Sequence, residues 1–187
     1  MPAKRASILT IIADPECGRA AEVRWVPSAP MGTRFHDPTA DHSLYALAHQ
    51  PIDVVCPRCA AHAQVVAAPS GHDRRLVCPA CSHTRTWSSR TDSSRWSGLV
   101  DPFFRRPLWL TTTVRGHGLW AYNRAHLDLL TEFVAASLRE RGPGGGCSMS
   151  LIEKLPPWMK SARNRPDLLA ALTRLRARLD ADPSRSR

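Results

Sequence analysis

Two Cys-x-x-Cys pairs constrain this chain more than any other feature. They read Cys56-Pro57-Arg58-Cys59 and, eighteen residues later, Cys78-Pro79-Ala80-Cys81. Two intervening residues let a tight turn aim both sulfurs of a pair at one point. Two such pairs can close four thiolates around one tetrahedral Zn²⁺, each about 2.3 Å from the metal. Proline follows the first cysteine of each pair, fixes φ and favours the turn. The spacing therefore assigns Cys56, Cys59, Cys78 and Cys81 as metal ligands, with Zn²⁺ as the expected cofactor.

Other uses of four cysteines stay open at this level. Two disulfides would fit an oxidising compartment. A rubredoxin-type iron site uses the same four thiolates, and a zinc site can act as a redox switch when its thiolates are oxidised. His62, His72 and His83 flank the pairs and could replace a ligand. Cys17 and Cys147 stand alone; Cys17 reads as a small buried apolar group, and pairing between the two is neither supported nor excluded.

Around the pairs, short runs read as strands. Val54-Val55 leads into the first pair, Ala61–Ala68 alternates weakly, Arg74–Val77 returns, and Thr84–Ser88 leaves the second pair. Pro69-Ser70-Gly71 is a turn. The expectation is a three-stranded antiparallel sheet with the metal at one end. Its apolar content is too small for a separate core, so metal binding would supply much of its folding free energy.

These residues resemble the zinc-ribbon superfamily, which is built from two rubredoxin-type knuckles. By position, the resemblance implies that the four paired cysteines are the ligands of a closed structural site. Zinc ribbons occur in transcription factors, RNA polymerase subunits, ribosomal proteins and replication-restart helicases, so the resemblance implies architecture more than activity. The runs Leu108-Trp109-Leu110, Leu119-Trp120-Ala121-Tyr122-Asn123 and Leu155-Pro156-Pro157-Trp158-Met159-Lys160 resemble a narrower group of uncharacterised bacterial zinc-ribbon proteins. Relatives of that group often carry cysteine before the Trp-Ala-Tyr-Asn run. Here that place reads Thr113-Val114-Arg115-Gly116, which argues against a second metal site.

The remainder divides into an N-terminal segment (1–50), the ribbon (51–90), a hairpin plus long helix (99–142) and a basic helical region (147–181). In the first, Ser7–Ile12 and Glu22–Val26 read as strands, Pro27–Pro38 as loop and Ser43–His49 as a short helix. His36, His42 and His49 match no metal spacing. Ser89–Gly98 reads as a linker. Leu108–Thr113 and Leu119–Tyr122 form a hairpin turning at Gly116-His117-Gly118. Asn123 caps a helix predicted over Arg124–Arg141, with Leu127, Leu130, Val134 and Leu138 on one face and Gly142 at its end. His126, in the first turn, reads as a packing or capping group. Ser150 and Glu153 form a capping box for a short helix, Leu151–Leu155, stopped by Pro156-Pro157. Pro166 opens a last helix with Leu168, Leu172, Leu175 and Leu179 on its buried stripe. The fold class is α+β in small units.

Charge supplies the functional expectation. The chain carries 26 Lys and Arg against 16 Asp and Glu, a net charge of +10, and all but three of its bases are arginine. The excess lies in the ribbon and the C-terminal region. A polyanionic partner follows: nucleic acid or a ribonucleoprotein. The candidate phosphate contacts are Arg58, Arg74, Arg75, Arg85, Lys160, Arg163, Arg165, Arg174 and Arg178. Trp120 and Tyr122 share one side of their strand, and with Trp158 they are candidate stacking or interface residues; the plainer reading of the first two is core packing. The alternative function is a protein-interaction adaptor that docks through the Trp120/Tyr122 hairpin and the terminal helices. No phosphate-cradling glycine loop, nucleophile motif or paired carboxylates stand out, and four thiolates leave no open metal position, so the expectation is a non-enzymatic protein. No apolar run reaches the roughly 18 residues of a membrane span. The start lacks a secretory pattern, so a cytoplasmic location is expected.

Overall fold

A computed structural model describes residues 34–36, 44–69, 71–96, 98–136, 138–140, 151, 152 and 154–181. The expected strands Ser7–Ile12 and Glu22–Val26, along with Cys17, His42, Gly142–Gly146 and Cys147, lie outside the described residues. So do the residues after Ala181.

The chain order begins with β1 (Arg34–His36) and α1 (Leu44–His49). Next come β2 (Ile52–Val55), β3 (His62–Ala67), β4 (Arg74–Val77) and β5 (Thr84–Trp87). They are followed by β6 (Leu110–Val114), β7 (His117–Ala121), α2 (Arg124–Ala135) and β8 (Leu138–Glu140). Last are α3 (Pro157–Lys160), a 3₁₀ turn (Ala162–Asn164) and α4 (Arg165–Asp180). The architecture is α+β, as the sequence implies, but the cysteine-bearing antiparallel sheet has four strands rather than three, in the order β2-β3-β4-β5; β6 and β7 form an antiparallel pair and β1 and β8 a parallel one. The three-strand expectation fails because Ile52–Val55 is a full strand, paired from Ile52↔Val65 to Val55↔His62. The other two pairings run Gln64↔Val77 to Ala67↔Arg74 and Arg74↔Trp87 to Val77↔Thr84.

That register decides where the cysteines go. The β2–β3 and β4–β5 hairpins are closed by Val55↔His62 and Val77↔Thr84. The β3–β4 connection lies at the opposite end. Both Cys-x-x-Cys turns therefore emerge at the same end of one sheet.

The sheet does not stand alone. Asp53 N–H donates to the Tyr122 carbonyl (2.7 Å), Val55 N–H to Pro107 (2.9 Å), and Trp109 N–H to the Asp53 carbonyl (2.9 Å). Thus β2 is hydrogen-bonded on both edges, to β3 and to the chain entering and leaving the β6–β7 hairpin. One core results. Ile52, Val54, Val65 and Leu76 from the sheet are buried together with Leu108, Leu110, Leu119 and Tyr122. Leu127, Leu130 and Val134 of α2 and Leu168, Leu172, Leu175 and Leu179 of α4 complete it. The leucine spacing on α4 gives the buried stripe expected from the sequence.

Local signals explain the helix starts better than the ends. Asn123 caps α2 as expected: its Oδ1 accepts from His126 N–H at 3.0 Å, while its Nδ2 donates to the Leu47 carbonyl at 2.9 Å. The helix stops at Ala135, not Arg141. Ala136 is extended (ψ 134°), and Leu138–Glu140 instead pairs in parallel with Arg34–His36, inside the segment expected to be loop. A partner strand remote in sequence overrides the helical periodicity. The β6–β7 turn is Arg115-Gly116, both with positive φ (49° and 81°). That is the primed two-residue turn matching strand twist, so His117 and Gly118 belong to the strand. Leu151 and Ile152 are buried in a turn rather than a helix, and Pro157 begins α3 rather than ending a helix before it. Among the described residues no helix is long and apolar enough to cross a membrane.

Candidate metal centre and basic surface

The two cysteine turns are near copies. Cys56 N–H donates to the Ala61 carbonyl at 2.8 Å and Cys78 N–H to His83 at 2.9 Å. Four residues after the first cysteine of each pair, the backbone turns left-handed at a non-glycine residue: Ala60 (φ 59°) and Ser82 (φ 56°). Turning there lets the chain re-enter the sheet within a few residues of the second cysteine.

The four sulfurs converge. Cys56 Sγ lies 3.7 Å from Cys81 Sγ, Cys59 Sγ lies 3.6 Å from Cys78 Sγ, and all four lie within 4.8 Å of one another. None of the four is in a disulfide. A tetrahedron with metal–sulfur bonds of 2.3 Å has edges of about 3.8 Å, close to the two shortest separations. The cluster pairs across the two turns, with Cys56 and Cys78 buried, Cys81 half-buried and Cys59 exposed. The four cysteines are thus placed to hold a metal ion, and the soft, compact donor set fits such an ion.

The protons oppose assembly unless a cation is present. Burial pushes the Cys78 thiol up to about 12. At Cys56 burial acts the same way, but N–H donation from Arg58 and Cys59 outweighs it and brings the thiol to about 7. At Cys81 the His83 amide works downward, yet burial and the neighbouring sulfurs leave the thiol raised. Cys56 is therefore the thiol poised to ionise, and a cation binding here would displace the protons of Cys78 and Cys81. The Arg58 amide lies 3.4 Å from Cys56 Sγ, one of the donors that would stabilise a thiolate. Four thiolates around one ion leave no vacancy for substrate.

The candidate phosphate contacts separate into three groups. Arg58, Arg75, Arg85, Lys160, Arg163 and Arg174 are exposed. Arg178 is exposed too, but its guanidinium stacks 4.0 Å over the Trp109 ring. Arg74 and Arg165 are structural. Arg74 is buried, donates to the Gly71 and Asp73 carbonyls, and sits 4.8 Å over Phe103. Arg165 is half-buried and donates to the Ala136 carbonyl at 2.8 Å, satisfying an acceptor where α2 ends.

Of the three candidate aromatic residues, Tyr122 is not on the surface. Tyr122 is 1 % exposed, and its ring packs 5.1 Å from Trp120 and 5.7 Å from His126. The core-packing reading holds for Tyr122, whose carbonyl is also tied to β2. Trp120 and Trp158 are half-buried; Trp158 stacks on His117 at 4.8 Å. His126 is fully buried and packs as expected: its Nδ1 accepts the Tyr122 N–H at 3.3 Å, and burial lowers its pKa to about 3.

Sequence reasoning passed over other surface groups. Arg95, Arg105 and Arg106 line the same two clefts as Arg58 and Arg85. The large exposed aromatics among the described residues are Trp96 and Tyr45. The paired Arg105-Arg106 after Phe103-Phe104 was the available signal; Trp96 had none, because it stood inside a polar run that read as a linker.

No family model matches this chain, and no match to it was found among curated proteins or solved structures.

Proposed function

We propose that this chain is a non-enzymatic zinc-ribbon protein whose closed Cys₄ site is structural and whose basic surface binds nucleic acid or a ribonucleoprotein. The convergence of four sulfurs within 4.8 Å supports the reading. That donor set favours a closed site, and Zn²⁺ is the ion that commonly occupies four thiolates in a structural role. It would act by clamping the two turns and the strands behind them, leaving the exposed arginines on a rigid frame. A net charge of +10 supplies attraction for a polyanion.

Binding to DNA and RNA over a range of salt tests the proposal. Each phosphate contact on duplex DNA contributes a log–log slope of about −0.9, and on a single strand about −0.7. A steep slope is expected. Weak binding that is indifferent to salt would remove the nucleic-acid reading while leaving the metal site.

A second reading, a protein-interaction adaptor, draws on a small apolar cleft of about 130 Å³ lined by Trp120, Trp158, Leu155 and Met159. Tyr122 takes no part in it. A pull-down that survives nuclease and high salt would favour this reading over the first.

A further inference from the structure

Two clefts of about 340 and 390 Å³ adjoin, sharing Arg85 and Phe104. Sharing two lining residues, they lie side by side as one candidate groove. Arg58 and Arg106 line the end by the first cysteine turn, and Arg95 and Arg105 line the other. Pro57 and Phe103 contribute apolar surface. One carboxylate, Asp92, enters the lining, and it already accepts from Ser88 N–H (3.3 Å) and Thr91 Oγ1 (3.2 Å).

These five arginines differ from three others that are ion-paired. Arg115 pairs with Asp167, Arg124 with Asp180, and Arg176 with Asp128. Among the described residues none of the five groove arginines has a carboxylate within ion-pair distance.

The groove wall is held rigidly. Asp101, itself buried, accepts from the N–H groups of Phe103 (2.9 Å), Phe104 (2.7 Å) and Arg106 (2.6 Å). Arg105 Nη1 donates to the Arg95 carbonyl, and Arg95 N–H donates to Pro102, each at 2.8 Å. The backbone that carries Arg105 and Arg106 is therefore a fixed turn rather than a free loop, which lowers the ordering cost of binding.

Trp96 follows Arg95 in the chain, and its ring neighbours that of Phe103, which lines the cleft. Trp96 is 40 % exposed and Tyr45 63 % exposed. Their rings lie 5.9 Å apart, and Trp96 lies 6.3 Å from Phe103. Cations that track a phosphate backbone, ending beside exposed rings, match single strands. Only unpaired bases can splay out and stack on side chains.

We propose that the groove from Arg58 to Arg95 binds a single strand of nucleic acid, with phosphates on Arg58, Arg85 and Arg106 and bases stacked on Trp96 and Tyr45. This rests on the nucleic-acid reading above and specifies its ligand. Asp101 acts as a positioning residue for Arg105 and Arg106.

The test uses the full metal-loaded chain and fluorescence anisotropy with labelled 16-nucleotide single strands, one RNA and one DNA, and a blunt duplex of the same sequence. Tighter binding of either single strand than of the duplex is expected. Trp96→Ala should weaken single-strand binding by about 5- to 150-fold, the range for loss of one stacked base, with Trp96→Phe restoring most of it and the duplex unaffected. Arg58→Ser with Arg85→Ser should flatten the single-strand salt slope by about 1.4, while Arg163→Ser with Arg174→Ser should change it little. All variants must retain metal and the wild-type circular dichroism spectrum. Loss of binding confined to the Arg163/Arg174 variant would overturn the groove while the nucleic-acid reading survives. Preference for duplex, or indifference to Trp96→Ala, would overturn the single-strand assignment. Absence of salt-dependent binding by the wild type would remove both readings together.

Discussion

His62 Nε2 lies 2.9 Å from Asp53 Oδ1, and both side chains are buried. Gln64 Nε2 donates to the same oxygen at 3.0 Å. The Asp53 backbone meanwhile bonds to Tyr122 and Trp109. One residue thus couples the strand before the first cysteine turn, the strand after it, and the hairpin of the second half. His62 also reaches the metal centre, its carbonyl lying 3.8 Å from Cys78 Sγ.

Asp53→Ala should therefore be among the most damaging substitutions outside the cysteines. It removes the acceptor shared by two side chains in a dry setting, and a loss of about 2–4 kcal/mol is expected. Asp53→Asn keeps one carbonyl oxygen in place and should cost less. Denaturant unfolding of the metal-loaded proteins measures both. Equal stability of Asp53→Ala and wild type would show that the coupling is not energetic.

His126 predicts an acid sensitivity. Its pKa is lowered to about 3 by burial, against 6.5 unperturbed. The fold holds the neutral ring, so the unfolded chain binds the proton first. This stabilisation is complete above pH 6.5 and is lost as pH falls from there toward 3. At pH 4.5 the contribution should be smaller by about 2–3 kcal/mol than at pH 7. Acid also protonates the thiols, so the diagnostic quantity is the difference in slope between wild type and His126→Asn, which can still accept the Tyr122 N–H. Identical slopes between pH 7 and 4.5 would contradict the argument.

The left-handed residues in the two cysteine turns predict a gain. Ala60 and Ser82 adopt positive φ, which costs an L-residue about 1 kcal/mol or more relative to glycine. Ala60→Gly and Ser82→Gly should each raise stability by up to about 1 kcal/mol, after the entropy of the unfolded glycine is subtracted. Ala60→Val should lower it. Thermal unfolding of the three variants decides. A loss on Ala60→Gly would mean that the Ala60 methyl contributes more than the strain it carries.

How much of this was legible beforehand follows from range. The cysteine turns, the Asn123 cap and the leucine stripe of α4 are local patterns, and each is where the residues imply. The four-strand sheet, the early end of α2 and the burial of Tyr122 are not local. Ile52–Val55 becomes a full strand because Pro107–Trp109 and Tyr122 complete its second edge. Leu138–Glu140 leaves the helix because Arg34–His36, about a hundred residues earlier, pairs with it. Arg74 and Arg165 likewise read as surface cations from composition alone. Only the fold shows them spent on backbone carbonyls. The groove was hidden for the same reason, since Arg58, Arg85 and Arg106 come from three separate stretches.

Metal removal should unfold the cysteine turns first. β2 shares its core with the hairpin, α2 and α4, so chelation is expected to lower the melting temperature sharply while part of the helical signal persists. Full retention of the wild-type melting curve after chelation would show that the ion does not hold the turns.

The most direct test is the metal itself. Elemental analysis with X-ray absorption on the purified chain should find one zinc per chain, surrounded by four sulfurs at about 2.3 Å, with Cys56→Ser plus Cys78→Ser losing it. A chain that binds no stoichiometric metal, or an ion held by oxygen and nitrogen rather than these four sulfurs, would contradict the account.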